Sequence, residues 1–580
     1  MERVTEGIGG RLSSGIMMLA ERLRRFRFHE DQVYLALALL IGGLVGVVVV
    51  AFILLSEHIG ARMYPLEGGA WRRLAIPIAG SLVTGYLLVR FFPAARGSGI
   101  PQTKVAMLLE GGYISGRTVI GRFICSSAAL ASGIALGREG PSVQIGGGIA
   151  SVLGRRIGLG RGRVRDLIPV GAAAAVSAAF NTPIAGVLFA LEEVVGDLHA
   201  RVLGSAVIAS GTAWVVLHSL LGDEPLFHVP EYQLTHPVEF FIYALLGIAG
   251  GLCSVVFVKL TLYMRGKFQG LPSHTRWAQP AVGGLTVGVL AVWTPQVLGV
   301  GYDYVGQVLN GEITLAFVVS LLAMKLVATS ACYASGNSGG IFGPSLFLGA
   351  MLGAAVGSTA HFLLPTFTAS PGAYALVGMG AVFAGIIRTP LTSVFMIFEL
   401  TRDYSIVVPL MIANLVSFTI SRKLQAVTVY DALALQDGIH LPRPARERHS
   451  GTTISEVMEP NVCVLKPDTV VGDIPSDAPG FVILIADGEA AAFERDELLR
   501  MIRESDPTQP VAMLLDMEAS YPHVHQDQML EDALERLEDA ELEAIAVLDR
   551  SDVRRVTGMV TLTDVRAAFS AGVRRDNTSK

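Results

Sequence analysis

From Val33 to Leu55 the chain carries no charged side chain, and similar apolar runs recur at Leu74–Phe92, Phe240–Leu260, Leu315–Ala331 and Val407–Ile420. Roughly 20 apolar residues in a helix cross the hydrocarbon of a bilayer, where no water is present to satisfy a loose backbone N–H or C=O. Repetition of such runs leaves few folds open. The sequence predicts an α-helical polytopic membrane protein, and its proportions agree: 51% of the residues are hydrophobic, 16% are charged, and the mean hydropathy is +0.52. A net charge of −5 over 580 residues gives no reason to expect a nucleic-acid partner.

The chain also repeats itself. "EGPSVQIGGGIASVLG" at 139–154 matches "FGPSLFLGAMLGAAVG" at 342–357, and "NTPIAGVLFALEEV" at 181–194 matches "RTPLTSVFMIFELT" at 388–401, in the same order and at nearly the same spacing. The polar link between the halves, Gly222–His236, holds acidic residues but no Lys or Arg. A basic amphipathic stretch, "MMLAERLRRFRFHED", precedes the first apolar run, and "RPARER" follows the last, which places both termini in the cytoplasm and makes the number of crossings even. With the link outside, each half crosses an odd number of times, so the repeats are inverted. Inverted repeats are typical of transporters whose substrate site lies near the midplane, between broken helices. The basic run Arg155–Arg165 fits this charge rule poorly. The first apolar run is too long for a cleavable signal peptide and lacks a small-residue cleavage site.

From about Gly451 the long apolar runs stop, and strand-like pieces such as "GFVILIAD" and "EAIAVLD" alternate with charged helical pieces such as "ERDELLRMIRE" and "LEDALERLED". That pattern predicts a cytoplasmic α/β tail. The expected division is an N-terminal cytoplasmic segment at 1–30, a membrane domain at 31–440 with repeats at about 31–221 and 237–440, and the tail at 451–580. Cys125, Cys253, Cys332 and Cys463 are scattered without ligand or disulfide spacing, so no metal site is expected. No HExxH, GxxxxGK[ST] or GxSxG site is expected, and the chain is not expected to be an enzyme.

Three glycine-rich breaks interrupt the apolar sequence: "GSGIP" (97–101), "GREGP" (137–141) and "GIFGP" (340–344). Each has Pro where a helix opens, so each should start a helix inside the membrane. The free N–H groups and positive dipole end of such a start attract an anion without a full charge, which permits fast release. Gly97, Gly99, Pro101, Gly137, Arg138, Gly140, Pro141, Gly340, Gly343 and Pro344 are therefore expected to line an anion path. Glu139 lies inside the second break, and an ionisable residue at membrane depth is a functional candidate by default. Burial favours its neutral acid and the helix start favours its carboxylate, two opposed influences that suit proton exchange. Tight turns for the glycines, and an ion pair with Arg138 for Glu139, are the bland alternatives.

These three breaks, together with the tyrosine of "VTVYDALA" after the last apolar run, resemble the signature set of the CLC chloride channel and transporter family, in its order and over about 30–440. The tail resembles a pair of CBS domains. The resemblance implies an inverted-repeat CLC fold with broken helices, followed by a C-terminal cytoplasmic α/β CBS domain pair. It implies a homodimer with one ion pathway per subunit, multi-pass in the cell inner (plasma) membrane, with chloride and protons as substrates and no required cofactor. It also assigns the anion ligands: the hydroxyls of Ser98 and Tyr430 and the backbone amides of Ile341 and Phe342. Glu139 takes the place of the external gating glutamate, whose carboxylate mimics the anion, and Arg138 that of a structural residue. Outside such a set, Ser98 would read as a helix cap and Tyr430 as a lipid-interface anchor.

In the internal repeat Glu192 stands opposite Glu399, whereas Glu193 stands opposite Leu400. Glu193 falls where proton-coupled members of the family have their internal proton-transfer glutamate, and where channels commonly have a non-ionisable residue. The expectation is an H+/Cl− antiporter. A passive voltage- or pH-gated chloride channel of the same fold is the nearest alternative, and a membrane-bound metabolite sensor acting through the tail is a more distant one. Serine at 98 is similar to chloride-selective members, since nitrate-preferring relatives tend to have Pro there and fluoride exporters Met. In the tail, Thr561 and Asp564 of "GMVTLTDV" match the CBS nucleotide pattern, while Glu494 of "AAAFERDEL" would repel phosphate. Adenine-nucleotide binding there competes with a purely structural, dimerising role.

Overall fold

The computed structural model describes residues 30–439, apart from 66–68, 199–200, 223–225 and 228–234, and then, with interruptions, residues 441–568. The N-terminal basic stretch, the basic stretch after 441, and most of the polar link and of "ERDELLRMIRE" lie outside the described residues. The chain divides into two compact units, Met1–Pro442 and Arg443–Lys580.

The first unit is helical. Its first half contains α1 (Glu30–Met63), α2 (Ala70–Arg90), α3 (Ile100–Leu108), α4 (Gly116–Ala131), α5 (Glu139–Arg156), α6 (Arg161–Phe180), α7 (Pro183–Phe189) and α8 (Leu203–Leu221). The second half runs through α9 (Glu239–Gln269), α10 (Pro280–Trp293), α11 (Tyr302–Leu309), α12 (Leu315–Ala334), α13 (Phe342–Leu363), α14 (Pro371–Ile387), α15 (Pro390–Thr401) and α16 (Val407–Leu424). A last short helix, α17 (Val429–Gln436), follows. Among the described residues, seven helices are long and apolar enough to cross a membrane.

Both faces of these helices are apolar, so close fit rather than polarity separates inside from outside. On α1, Ala38, Ile41, Val45, Val49 and Ile53 are buried at helical spacing, whereas Leu35, Leu39, Val47 and Leu54 are exposed, as lipid contact requires. Small residues set the approach of neighbours. A Cβ on Gly146 of α5 would collide with the carbonyl of Gly171 on α6, and one on Gly171 with the carbonyl of Gly146. Gly349 of α13 and Gly378 of α14 repeat that reciprocal contact at the corresponding places of the second half. The turns repeat too. Asn181 ends α6 and Arg388 ends α14, both left-handed (φ 62° and 68°), and Pro183 and Pro390 open the helices that follow. One difference breaks the likeness: α7 widens into a π turn at Ala190–Val195, whereas α15 is regular to Thr401.

Among its described residues, the second unit holds two three-stranded sheets of the same plan. β1 (Cys463–Leu465) pairs parallel with β2 (Phe481–Ala486), which pairs antiparallel with β3 (Glu489–Glu494). β4 (His523–His525), β5 (Ala544–Leu548) and β6 (Val556–Thr561) repeat that order and direction. An amphipathic helix at Leu530–Asp539 buries Leu530, Ala533 and Leu537 beneath the second sheet.

Candidate functional site

The three glycine-rich breaks meet in the interior of the first unit. Gly137 and Gly340, each two residues before its helix, exchange backbone hydrogen bonds: each N–H donates to the other's carbonyl at 2.7 Å. A Cβ on Gly99 would strike the carbonyl of Gly140, and one on Gly140 the carbonyl of Ser98. Gly99 adopts φ +103°, a conformation that side-chain-bearing residues avoid, and its N–H donates to Gln102 Oε1 at 2.8 Å. As the sequence predicts, α3, α5 and α13 all start here, with Pro101, Pro141 and Pro344 in their first turns.

Ser98 and Tyr430 are fully buried neighbours at this junction whose side chains approach each other, and among the described residues neither hydroxyl has a well-formed hydrogen bond. A buried hydroxyl without a partner is costly, so a pair of them facing one place points to a ligand that accepts hydrogen bonds. Ile341 and Phe342 open α13, where the first N–H groups have no intrahelical acceptor. The Phe342 ring is enclosed by Phe180, Phe189 and Phe383 at centroid distances of 4.8, 5.4 and 4.5 Å, which shields the junction from water.

Glu139 is fully buried, and its carboxylate turns toward α13: Oε2 accepts from the N–H of Gly343 at 3.2 Å, and Oε1 accepts from the Tyr302 hydroxyl. The carboxylate thus occupies a helix start that would otherwise take an anion. It is not paired with Arg138. That guanidinium reaches Glu57 Oε1 at 2.7 Å and lies over the Tyr302 ring. Tyr302 was not foreseen, yet a signal for it exists. "GVGYD" at 299–303 echoes "GSGIP", and Gly299 and Gly301 have positive φ just as Gly97 and Gly99 do.

Glu192 and Glu193 part company at the π turn. Glu192 accepts from the N–H groups of Leu391 and Thr392 at the start of α15, and its repeat partner Glu399 accepts from those of Ile184 and Ala185 at the start of α7. Capping is therefore the work of the symmetric pair. Glu193, 5% exposed, instead accepts from Lys104 Nζ at 2.9 Å, and Lys104 also donates to Asp431. Neither Lys104 nor Asp431 was foreseen.

Residues 79–422, more than half of the chain, match the family described as Voltage gated chloride channel, and residues 511–571 match the CBS domain. The chain belongs to the voltage gated chloride channel family. It is 34% identical over 372 residues to the H(+)/Cl(-) exchange transporter ClcA of Vibrio campbellii, covering 62% of this chain and 78% of that one. A relative from Ralstonia nicotianae, 35% identical over 367 residues, is named chloride channel protein ClcB-like, with 62% of this chain and 85% of that one covered. The fold is similar to the crystal structure of a slow cyanobacterial Cl-/H+ antiporter, with a TM-score of 0.65 at 24% identity, covering 71% of this chain and 98% of that one.

In this member of the voltage gated chloride channel family a buried guanidinium supports the first break. Arg122 donates to the carbonyl of Gly97 at 2.6 Å, to Gln144 at 2.5 Å and to Ser338 at 3.2 Å. Beside Gly97 lies a cavity of about 300 Å³ lined in part by Arg96, Arg265, Arg276, Tyr333 and Asp437, with Arg265 paired to Asp437 at 2.6 Å. The segment 336–340, "GNSGG", spells the nucleophile pattern G-x-S-x-G, but Ser338 Oγ bonds to Ser126 and to the Ala95 carbonyl, with no histidine among its hydrogen-bond partners. In the second unit, Thr561 and Asp564 bond each other at the start of the helix at 562–568, as a helix cap does, and Glu494 ends β3.

Proposed function

We propose that the chain exchanges chloride for protons across a membrane. The observation that carries this reading is the Glu139 carboxylate resting on the Gly343 N–H beside the partnerless hydroxyls of Ser98 and Tyr430. Chloride occupies the junction, held by those two hydroxyls and the amides of Ile341 and Phe342, while Glu139 stands at the outer position as a built-in competitor. A proton on Glu139 removes its charge and weakens its hold on Gly343, and an anion takes its place. Glu193, buried and relieved of capping duty by Glu192, passes the proton to and from the cytoplasmic side. The names of the Vibrio relative and of the cyanobacterial structure support exchange, and the name of the Ralstonia relative supports the channel reading. The molecule works as a homodimer in the cell inner membrane with both termini cytoplasmic. Its second unit has a structural role, in keeping with Thr561 and Asp564 being bonded to each other.

The test is simultaneous measurement of chloride and proton flux in liposomes holding the purified full-length protein, wild type and Glu193→Gln. A chloride gradient should drive protons uphill in the wild type, and Glu193→Gln should keep chloride flux while losing the protons. Chloride flux with no uphill protons in the wild type would make the protein a channel.

A further inference from the structure

A single ammonium ties together three elements that the proposed function uses separately. Lys104 Nζ lies 2.9 Å from Glu193 Oε1 and 2.9 Å from Asp431 Oδ1. Lys104 and Glu193 are nearly sealed, with side-chain exposures of 10% and 5%, and Asp431 is part-buried at 27%. Lys104 sits on α3, the helix led in by Ser98; Asp431 sits on α17 next to Tyr430; Glu193 sits on the π turn after α7. The segments presenting the two partnerless hydroxyls are therefore clamped to each other by Lys104 and Asp431, and the carboxylate assigned to the proton is the third leg of the same clamp.

With Glu193 ionised, the cluster holds two anions and one cation. A proton on Glu193 leaves one of each, and Lys104 then turns its full charge on Asp431. Lys104 and Glu193 lie away from water, so the change between them is weakly screened, and Asp431 feels it across a part-buried contact. The other groups facing Glu193 are Glu192, whose carboxylate points to α15, and the Tyr430 phenol. We propose that Lys104 is a positioning residue that carries the charge state of Glu193 to the anion site, through Asp431 and the segments of Ser98 and Tyr430. This rests on the roles given above to Glu193 and to that site.

Chloride binding to the purified full-length protein, measured by calorimetry, tests it in a four-member cycle: wild type, Glu193→Gln, Lys104→Met and the double variant. Glu193→Gln imitates the protonated side chain. It should change the chloride Kd by about fivefold when Lys104 is present and by less than about twofold when methionine replaces it, with Lys104→Arg restoring the difference. Asp431→Asn should abolish the difference in the same way, and it decides the question should Lys104→Met fail to fold. An equal factor with and without Lys104, including no change in either, overturns the proposal. Wild-type protein that binds no chloride overturns the anion site itself, a different failure.

Discussion

The Tyr302 hydroxyl donates to the Glu139 carboxylate from the opposite half of the repeat, beside the Gly343 N–H that holds the other oxygen. A hydrogen bond to a charged group contributes about 1.5–3 kcal/mol. Tyr302→Phe removes it while keeping the ring beneath Arg138. Glu139 should then yield its position more readily, raising chloride flux at neutral pH by roughly tenfold. Unchanged flux in reconstituted vesicles would show that the hydroxyl does not restrain the carboxylate.

Glu139→Gln keeps the shape of the side chain but can neither carry a charge nor take up a proton. Chloride should still cross, proton flux should cease, and the rate should lose its dependence on pH. Paired electrode recordings of the two ions read all three effects together.

Gly140 leaves room beside the proposed anion site by having no side chain. In Gly140→Ala the new methyl would press on the Ser98 carbonyl and come within 2.8 Å of Ser98 Oγ. Overpacking of this kind costs about 1–3 kcal/mol, and here it falls on a hydroxyl of the proposed anion site. Chloride binding should weaken by more than about tenfold, with a lower thermal midpoint. Retention of wild-type affinity would place the anion elsewhere.

Glu192 and Glu399 each satisfy two backbone amides at the other half's helix start. Replacing either by Ala leaves those amides without acceptors, at a cost of about 1–3 kcal/mol. Both single variants should lower the thermal midpoint in detergent by a similar amount. A loss confined to one of them would show that the two ends are not equivalent.

The backbone of the site was legible in the sequence because glycine and proline encode backbone conformation directly: Gly99, Pro101, Pro141 and Pro344 announced where helices begin. The repeat separated Glu193 from Glu192 before any geometry was known. Tyr302 escaped notice because its Gly-x-Gly lead-in lacks a following proline. Lys104, Asp431 and Arg122 escaped for a different reason. Lys104 and Glu193 are 89 residues apart, and Lys104 and Asp431 are 327 apart, so no short pattern links them. The one available sign was a charge set in an apolar stretch, which marks a residue for attention without naming its partner.

The bridge between Gly137 and Gly340 has a consequence for ancestry. Both residues hold the same place in their halves and face each other, as residues on a two-fold axis must. In a half-length ancestor pairing with an inverted copy of itself, that residue would have met its own duplicate, and any side chain there would have intruded twice. Glycine is exempt from that penalty. Two halves carried on one chain need not mirror one another elsewhere, and at a corresponding place a carboxylate stands at 193 where leucine stands at 400.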